Sequence, residues 1–102
     1  MNPELQGVHR IYISGPITGH TFYKQRFGQM QEILEHYGFD VVNPAYNAMA
    51  APNATHEEYM RICFAQMRIC DAIVFLKGWE ESEGAKMEHD IAKHTNMKMF
   101  YE

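Results

Sequence analysis

Five consecutive apolar residues at positions 72–76, Ala-Ile-Val-Phe-Leu, give the strongest indication of fold in this sequence. A strand that is apolar along its whole length is typical of parallel sheets, because helices cover both faces of such sheets. The run is far shorter than the ~18 residues that a membrane-spanning helix needs. The sequence therefore predicts an α/β protein with a buried central strand.

The segments on either side of this run alternate between strand and helix patterns. β-Branched and aromatic residues predict further strands at 11–13, 39–42 and 97–101. Apolar residues at helical spacing predict one helix that ends at Gly38, a second that begins with a capping box of Thr55 and Glu58, and a third over about 83–94. We expect residues 1–102 to form a single, small doubly wound (flavodoxin- or Rossmann-like) domain with a four-stranded parallel sheet and three helices.

Composition and charge exclude several classes of protein. The formal net charge is −4, and no block of Lys and Arg is present, so nucleic acid is not expected as a partner. Residues 1–7 are too polar for a signal peptide, and no membrane segment is predicted. Cys63 and Cys70 lie on one predicted helix, beyond disulfide reach, which indicates reduced thiols. These features predict a cytoplasmic protein.

Ligands of doubly wound folds bind where loops leave the carboxyl ends of the strands. Here those loops are residues 14–19, 43–52 and 78–84. Asp71 precedes a strand and lies at the opposite end, so we expect it to be structural. His89 and His94 are five residues apart and lack a third ligand, so neither a metal nor another cofactor is predicted.

The third predicted helix carries one acid on its buried face. Glu88 falls in the middle of a sheet-facing stripe of mostly small residues, which are Gly84, Ala85, Ile91, Ala92 and Thr95. An unpaired ionised carboxylate there would cost several kcal/mol. Glu88 is therefore either a buried acid satisfied by Tyr12 or by backbone donors, with no chemical task, or a functional carboxylate that faces a cleft.

The loop before this helix has features that suit an anionic ligand. Gly78 and Trp79 form a turn with a large ring, Ser82 is a natural N-cap, and Gly84 leaves room at the helix start. Exposed amides at a helix N-terminus hold phosphate well. From Gly84 to Glu88 the helix rises roughly 6 Å, about the span from the 5′-phosphate of a nucleotide to its anomeric carbon.

Three segments carry a resemblance to a known family: Tyr12-Ile13-Ser14-Gly15-Pro16-Ile17-Thr18-Gly19, Cys70-Asp71-Ala72-Ile73 and Gly78-Trp79-Glu80-Glu81-Ser82-Glu83-Gly84-Ala85-Lys86-Met87-Glu88. The chain resembles the nucleoside 2-deoxyribosyltransferase superfamily, most closely its short phage and bacterial members. The resemblance implies an N-glycosidase or deoxyribosyltransferase with Glu88 as the nucleophile and Tyr12 as its orienting partner. It also implies a homodimer or higher homo-oligomer, a nucleoside or nucleotide as substrate, and a place in the cytosol of a bacterium or of a phage-infected host. The substrate-binding residues implied are Gly15, Pro16, Ile17, Thr18, Gly19, Trp79, Ser82 and Gly84.

Two positions bear on the choice of substrate. Relatives that hydrolyse nucleoside monophosphates place a Ser at the position of Ser82, which favours a monophosphate here. Those relatives also carry an Arg where this chain has Thr18, so Arg26 or Lys24 would have to supply the cation. His20 and His56 lie beside helix starts and could meet a ligand, but surface histidines are common, so we favour the interpretation that they are ordinary surface residues.

Another position leaves two functions open. The family usually has an Asp eight residues before Asp71, where this chain has Cys63. A non-catalytic module that senses or sequesters a nucleotide in the same cleft is the alternative to an enzyme. A structural role with an empty cleft has no specific support.

Overall fold

A computed structural model describes residues 5–102, with the side chains of residues 48 and 49 left out of the description. The segment 1–7 discussed above therefore lies partly outside the described residues. Within them, no helix combines the length and apolarity that a bilayer crossing requires.

Four parallel strands form the sheet, as the sequence predicts. They are β1 (Arg10–Ser14), β2 (Asp40–Val42), β3 (Ala72–Phe75) and β4 (Lys98–Tyr101). The strand order is β2-β1-β3-β4. Tyr12 of β1 is paired with Val42 on one side and with Ile73 on the other, so β1 and β3 lie at the centre of the sheet.

The three predicted helices are confirmed, and a fourth is added. They are α1 (Tyr23–His36), α2 (Ala45–Ala50), α3 (His56–Met67) and α4 (Glu83–His94), and a 3-10 turn at Trp79–Glu81 precedes α4. The capping box at the start of α3 is present, because Thr55 accepts from the Glu58 N–H and the Glu58 side chain accepts from the Thr55 N–H. The short α2 lies in the segment expected to be a loop, and the prediction of three helices was wrong on this point.

Helices cover the two faces of the sheet, which makes the fold doubly wound. α1 packs on the face that carries Ile11, Ile13 and Val74. α3 and α4 pack on the opposite face, against Tyr12, Ile73 and Phe75. The chain turns from β1 to an outer strand on one side and later crosses to β3 on the other, so the topological switch point lies between β1 and β3.

Asp71 has the structural role expected from its position. Its carboxylate accepts backbone N–H bonds from His9 and Arg10, each 2.9 Å long. These bonds lower the pKa of Asp71. The residue ties the amino end of β3 to that of β1, away from the loops at the carboxyl ends.

Candidate active site

A cavity of about 630 Å³ opens at the carboxyl ends of β1 and β3, at the switch point. All three of the loops expected to surround a ligand contribute to it, together with the starts of α3 and α4. A cavity of this size is typical of small-molecule sites in proteins, which span about 300–1,000 Å³.

Glu88 lies in the wall of this cavity because of how β1 and α4 are built. Alternate residues of a strand share a face, so Tyr12 and Ser14 both point from β1 toward α4. Ala85 and Ala92 flank Glu88 on α4 and are fully buried. Their small side chains allow α4 to approach the sheet, and this brings the Glu88 carboxyl to the two hydroxyls of β1.

Protein donors hold both oxygens of the Glu88 carboxyl. The Tyr12 hydroxyl donates to Oε2, and the Ser14 hydroxyl donates to Oε1 at 2.8 Å. Glu88 is 5 % exposed, yet it lines the cavity. A carboxylate accepts about four hydrogen bonds, so the two donors orient the group and leave lone pairs for a ligand.

Burial changes the acidity of this group. Removal from water raises the pKa of Glu88 to about 7, although the bonds from Tyr12 and Ser14 act to lower it. Burial and the neighbouring Glu88 also raise the pKa of Tyr12, which therefore stays a donor. Near neutral pH the site thus holds a carboxyl poised between its acid and its base forms, a property of functional groups more than of structural ones.

Two glycines are favoured by close packing around the site. A Cβ on Gly15 would lie 3.0 Å from Cβ of Leu76 in the loop after β3. A Cβ on Gly84 would lie 3.1 Å from the sulfur of Met60 on α3. Gly84 was expected to leave room for a ligand; the structure shows that it also permits contact between α3 and α4.

Most of the site residues predicted from the sequence meet in the cavity. Those that line it are Tyr12, Gly15, Pro16, Ile17, Thr18, Ser82, Gly84 and Glu88. Ser82 caps α4 as predicted, since its hydroxyl accepts from the Ala85 N–H at 3.2 Å.

Trp79 and Gly19 are the two predicted binding residues that do not line the cavity. The Trp79 ring stacks on His89, with centroids 4.4 Å apart and planes 14° apart, and also contacts Phe75. The 3-10 turn directs this ring toward the side of α4 that faces away from the cavity. Gly19 is exposed, with a positive φ of 79° that suits glycine in a turn. A role of either residue in ligand binding stays a prediction.

The cations considered for a phosphate are also elsewhere. Arg26 donates to the carbonyl of Lys77 at 2.7 Å and pairs with Glu102 at 3.6 Å, while Lys24 lies over the ring of Tyr23. Among the described residues, the cavity lining contains no Lys or Arg. Its ionisable groups other than tyrosine and cysteine are three carboxyls and two imidazoles: Glu81, Glu83, Glu88, His20 and His56.

The site residues predicted from the sequence did not include Ser14, which contacts Glu88, or His20 and His56, which line the cavity. Ser14 binds Glu88, and its position two residues after Tyr12 in the same strand was a signal for this. For His20 and His56 the surface interpretation was favoured over contact with a ligand, but both line the cavity. Their place in loops and at helix starts gave no direction for the side chains.

No group of three or more potential ligands that could hold a metal ion occurs among the described residues.

The fold and site define a class: a small, doubly wound α/β protein with a buried, hydrogen-bonded carboxyl that faces a small-molecule cavity. Residues 9–101 match the model of a family described as a domain of unknown function, DUF4406, and the chain belongs to that family. Neither the curated proteins nor the solved structures include a match.

Proposed function

We propose that this protein breaks the N-glycosidic bond of a 2′-deoxynucleoside or of its 5′-monophosphate, with Glu88 as the nucleophile. One observation carries the proposal: a buried carboxyl faces a cavity of about 630 Å³ while hydroxyl donors hold both of its oxygens. A purely structural acid needs no such cavity. The segments around Tyr12 and Glu88 resemble those of nucleoside 2-deoxyribosyltransferases, and this resemblance indicates the reaction that we propose.

The reaction would follow a double displacement. A Glu88 oxygen bonds to C1′ of the sugar while the C1′–N bond breaks, and the base leaves with that electron pair and takes up a proton from the solvent. A glycosyl ester on Glu88 remains. Water then attacks C1′, gives up a proton and releases the free sugar; a second base in place of water gives a new nucleoside.

Tyr12 and Ser14 have a role in both halves of this reaction. Their bonds fix the carboxyl so that a free lone pair faces the cavity, which reduces the cost of orienting the nucleophile. In the second half the Glu88 carboxylate is the leaving group. The same donors then stabilise the negative charge that returns to it.

The charge of the lining favours a nucleoside over a nucleotide. Glu81 and Glu83 lie at the start of α4, where a phosphate would be held, and the described lining offers no Lys or Arg to offset them. The Ser82 hydroxyl and the N-terminus of α4 still favour an anion. We therefore propose the uncharged deoxynucleoside as the better substrate, with the monophosphate as a weaker one.

Base release tests the proposal directly. The protein is incubated with each of the common deoxynucleosides and deoxynucleoside 5′-monophosphates, with and without a second free base, and the products are separated by chromatography. Glu88→Gln should lower turnover about 10³-fold or more, as expected for loss of a nucleophile. Asp90→Asn is the matched control, because Asp90 is an exposed acid on the same helix. Equal activity of Glu88→Gln and the unchanged protein would overturn the proposal.

A second candidate is a module that binds a nucleoside or nucleotide without turnover. The observation that favours it is Cys63, a buried thiol in the cavity wall where the resembling enzymes have an Asp. Saturable binding of a ligand in calorimetry, with no free base released by the unchanged protein, would support this candidate against the first.

Two further expectations belong to this proposal. A homodimer or higher homo-oligomer follows from the resemblance, and sedimentation of the purified protein tests it. A cytoplasmic place of action agrees with the two free thiols and with a nucleoside substrate. Microscopy of the tagged protein in its host tests the location.

A further inference from the structure

Strand β4 is an edge of the sheet, with β3 as its one strand neighbour in the part of the chain that the structure describes. Its ladder to β3 determines which backbone groups face outward. The Glu102 N–H donates to the carbonyl of Phe75 at 2.9 Å, so the backbone groups of Glu102, and those of Phe100 two residues earlier, point to β3. The N–H and C=O groups of Met99 and Tyr101 therefore point to the outer edge.

This edge has few of the features that keep strands from pairing with another chain. Natural edges are commonly interrupted by proline, by a bulge or by charged side chains. β4 has the sequence Lys-Met-Phe-Tyr, without proline or glycine, and its register with β3 runs without a break. Its one charge is on Lys98, the first residue of the strand. A second copy of the chain must therefore accommodate this charge if it pairs here.

Two copies pair at such an edge about a two-fold axis, with antiparallel strands and a continuous sheet. Opposite residues of an antiparallel pair lie on the same face, and alternate residues of a strand share a face, so the axis must pass through a residue. An axis at Phe100 sets Met99 opposite Tyr101 of the partner subunit on both sides of the axis. Because the backbone groups of both residues face the edge, each of the two pairs exchanges two hydrogen bonds.

The side chains of Lys98, Phe100 and Glu102, which share one face of the strand, select this register over the two beside it. An axis at Phe100 places Lys98 opposite Glu102 of the partner subunit, and the two Phe100 rings opposite each other. An axis at Met99 would place Lys98 opposite Phe100. An axis at Tyr101 would place Phe100 opposite Glu102. The register about Phe100 alone pairs charge with opposite charge and ring with ring, the combinations that stabilise a sheet.

The contacts that both charges make within the chain are compatible with a contact across the axis. The Lys98 ammonium donates to the carbonyl of Gln6 at 2.7 Å. The Glu102 carboxylate accepts from the Lys77 N–H at 2.8 Å and pairs with Arg26 at 3.6 Å. An ammonium makes up to three hydrogen bonds and a carboxylate about four. Both side chains are exposed, so a partner can reach them.

An apolar groove lies beside this edge, on the α1 face of the sheet. Its volume is about 550 Å³, and Phe100 lines it together with Val74 of β3 and with Ile33 and Tyr37 of α1. Ile33 is 52 % exposed and Tyr37 is 71 % exposed, so the groove is a contiguous apolar surface of the kind that marks interaction sites. In the pair, the partner's Phe100 lies beside Phe100 at the β4 side of the groove and shields it from water.

We propose that the outer edge of β4 is a dimer interface, at which a second copy of this chain pairs antiparallel about Phe100 and joins the two sheets into one. The proposal does not depend on the reaction above, because no residue of β4 is among the described residues that line the cavity. The family resemblance implies an oligomer without indicating its surface. Two short strands bury less than the roughly 1,200 Å² of a stable interface, so we expect a weak dimer, with a dissociation constant of about 1–100 µM.

Amide hydrogen exchange followed by NMR tests the register in the unchanged protein, because alternate residues serve as controls. The N–H groups of Phe100 and Glu102 face β3 and should exchange slowly at any concentration. Those of Met99 and Tyr101 should exchange slowly only in the dimer, so raising the protein from about 20 µM to about 1 mM should slow them about threefold or more. Sedimentation equilibrium over the same range should fit a monomer–dimer equilibrium.

Charge reversal tests the pairing across the axis. Lys98→Glu and Glu102→Lys each place like charges opposite each other at two symmetric positions, so each should raise the dissociation constant about tenfold or more. The double variant Lys98→Glu/Glu102→Lys restores opposite charges and should recover most of the affinity. Arg61→Glu changes the net charge as Lys98→Glu does, but at an exposed position of α3, and should leave the dissociation constant unchanged.

The outcomes separate this interface from other surfaces and from the proposed function. A protein that stays monomeric up to about 1 mM overturns the proposal. A dimer in which the Met99 and Tyr101 amides exchange at one rate at all concentrations also overturns it, even where the charge variants fail to fold. Equal affinities of the single and double variants overturn the register about Phe100. The expected exchange and charge dependence in a protein that releases no base would support the interface while the proposed function fails.

Discussion

Glu88 is a residue whose environment opposes its charge and at the same time supports it. Burial favours the neutral acid, while two hydroxyl donors favour the carboxylate, and the balance leaves its pKa at about 7. A group with that pKa is ionised in a useful fraction at neutral pH and remains less stabilised, and so more reactive, than an exposed carboxylate. The site therefore depends on a few hydrogen bonds of known direction.

The bond from Ser14 offers a test at this scale. Ser14→Ala removes the donor to Oε1 of Glu88 and leaves almost the same volume. Because a hydrogen bond to a charged group contributes about 1.5 kcal/mol or more, the pKa of Glu88 should rise by roughly one pH unit. Carbonyl-¹³C NMR of protein labelled at glutamate measures this pKa, and the resonance that is missing from Glu88→Gln assigns Glu88. Thr95→Ala is the control, since the Thr95 hydroxyl donates to the carbonyl of Ile91 on the far part of α4; an unmoved titration in Ser14→Ala would contradict the assignment of this bond.

The sequence indicated Glu88 because an acid on a buried helix face breaks a rule of burial, and Tyr12 because of the family resemblance, but it could not indicate every neighbour. Ser14 follows Tyr12 by two positions, and period-two alternation places it on the same face, so this partner was within reach of sequence reasoning. The direction of the Trp79 ring, toward His89 and Phe75, was not, because a 3-10 turn sets it. The direction of His56 depends on the packing of α3 against α4 in the same way.

At the scale of the element, helix α4 joins fold and site. Its small buried residues bring it to the sheet, and its first turn borders the cavity. Capping and apolar spacing are local signals, which is why α1, α3 and α4 were predicted to within about three residues of their observed ends. α2 has no such signal in its six residues; contacts with other elements form it, such as the bond from Tyr59 to Pro44 at its N-cap.

The N-cap of α4 can be tested by substitution. Ser82→Ala removes the acceptor of the Ala85 N–H, so we expect a loss of about 1 kcal/mol in the free energy of unfolding, or a fall of about 5 °C in Tm for a domain of this size. Ser82→Asn retains a side-chain acceptor and should lose only a few tenths of that amount. Thermal unfolding followed by circular dichroism measures both. Equal losses in the two variants would mean that the cap contributes little.

For the whole molecule, the raised pKa of Glu88 predicts how stability depends on pH. The carboxyl titrates near 4.5 in the unfolded chain and at about 7 in the folded one. Between these values the folded state binds more protons than the unfolded state, so the free energy of unfolding falls as the pH rises from 4.5 to 7. The loss is about 3 kcal/mol at most, a substantial part of the 5–15 kcal/mol typical of a small domain.

Two exposed acids make the free energy of unfolding rise with pH at lower pH values, opposite to the effect of Glu88. Hydrogen bonds lower the pKa of Asp71 and of Glu58 in the folded state. Their contribution to the free energy of unfolding is fully present above the pKa of these groups in the unfolded chain. It is lost as the pH falls through their pKa in the folded state. The unchanged protein should therefore be most stable in a window around pH 4 to 5, below the neutral pH at which Glu88 would act.

Glu88→Gln should remove the descending limb of this profile. The neutral amide carries no cost of ionisation, so the variant should match the unchanged protein at pH 4.5 and exceed its free energy of unfolding by up to about 3 kcal/mol at pH 8. Urea unfolding at both pH values measures the difference, with Asp90→Asn as the control that should behave like the unchanged protein at each. A constant difference between Glu88→Gln and the unchanged protein at the two pH values would mean that Glu88 ionises normally. A gain that appears only at the higher pH, together with loss of base release, is the pattern expected when a chain keeps a destabilising charge because its function needs it.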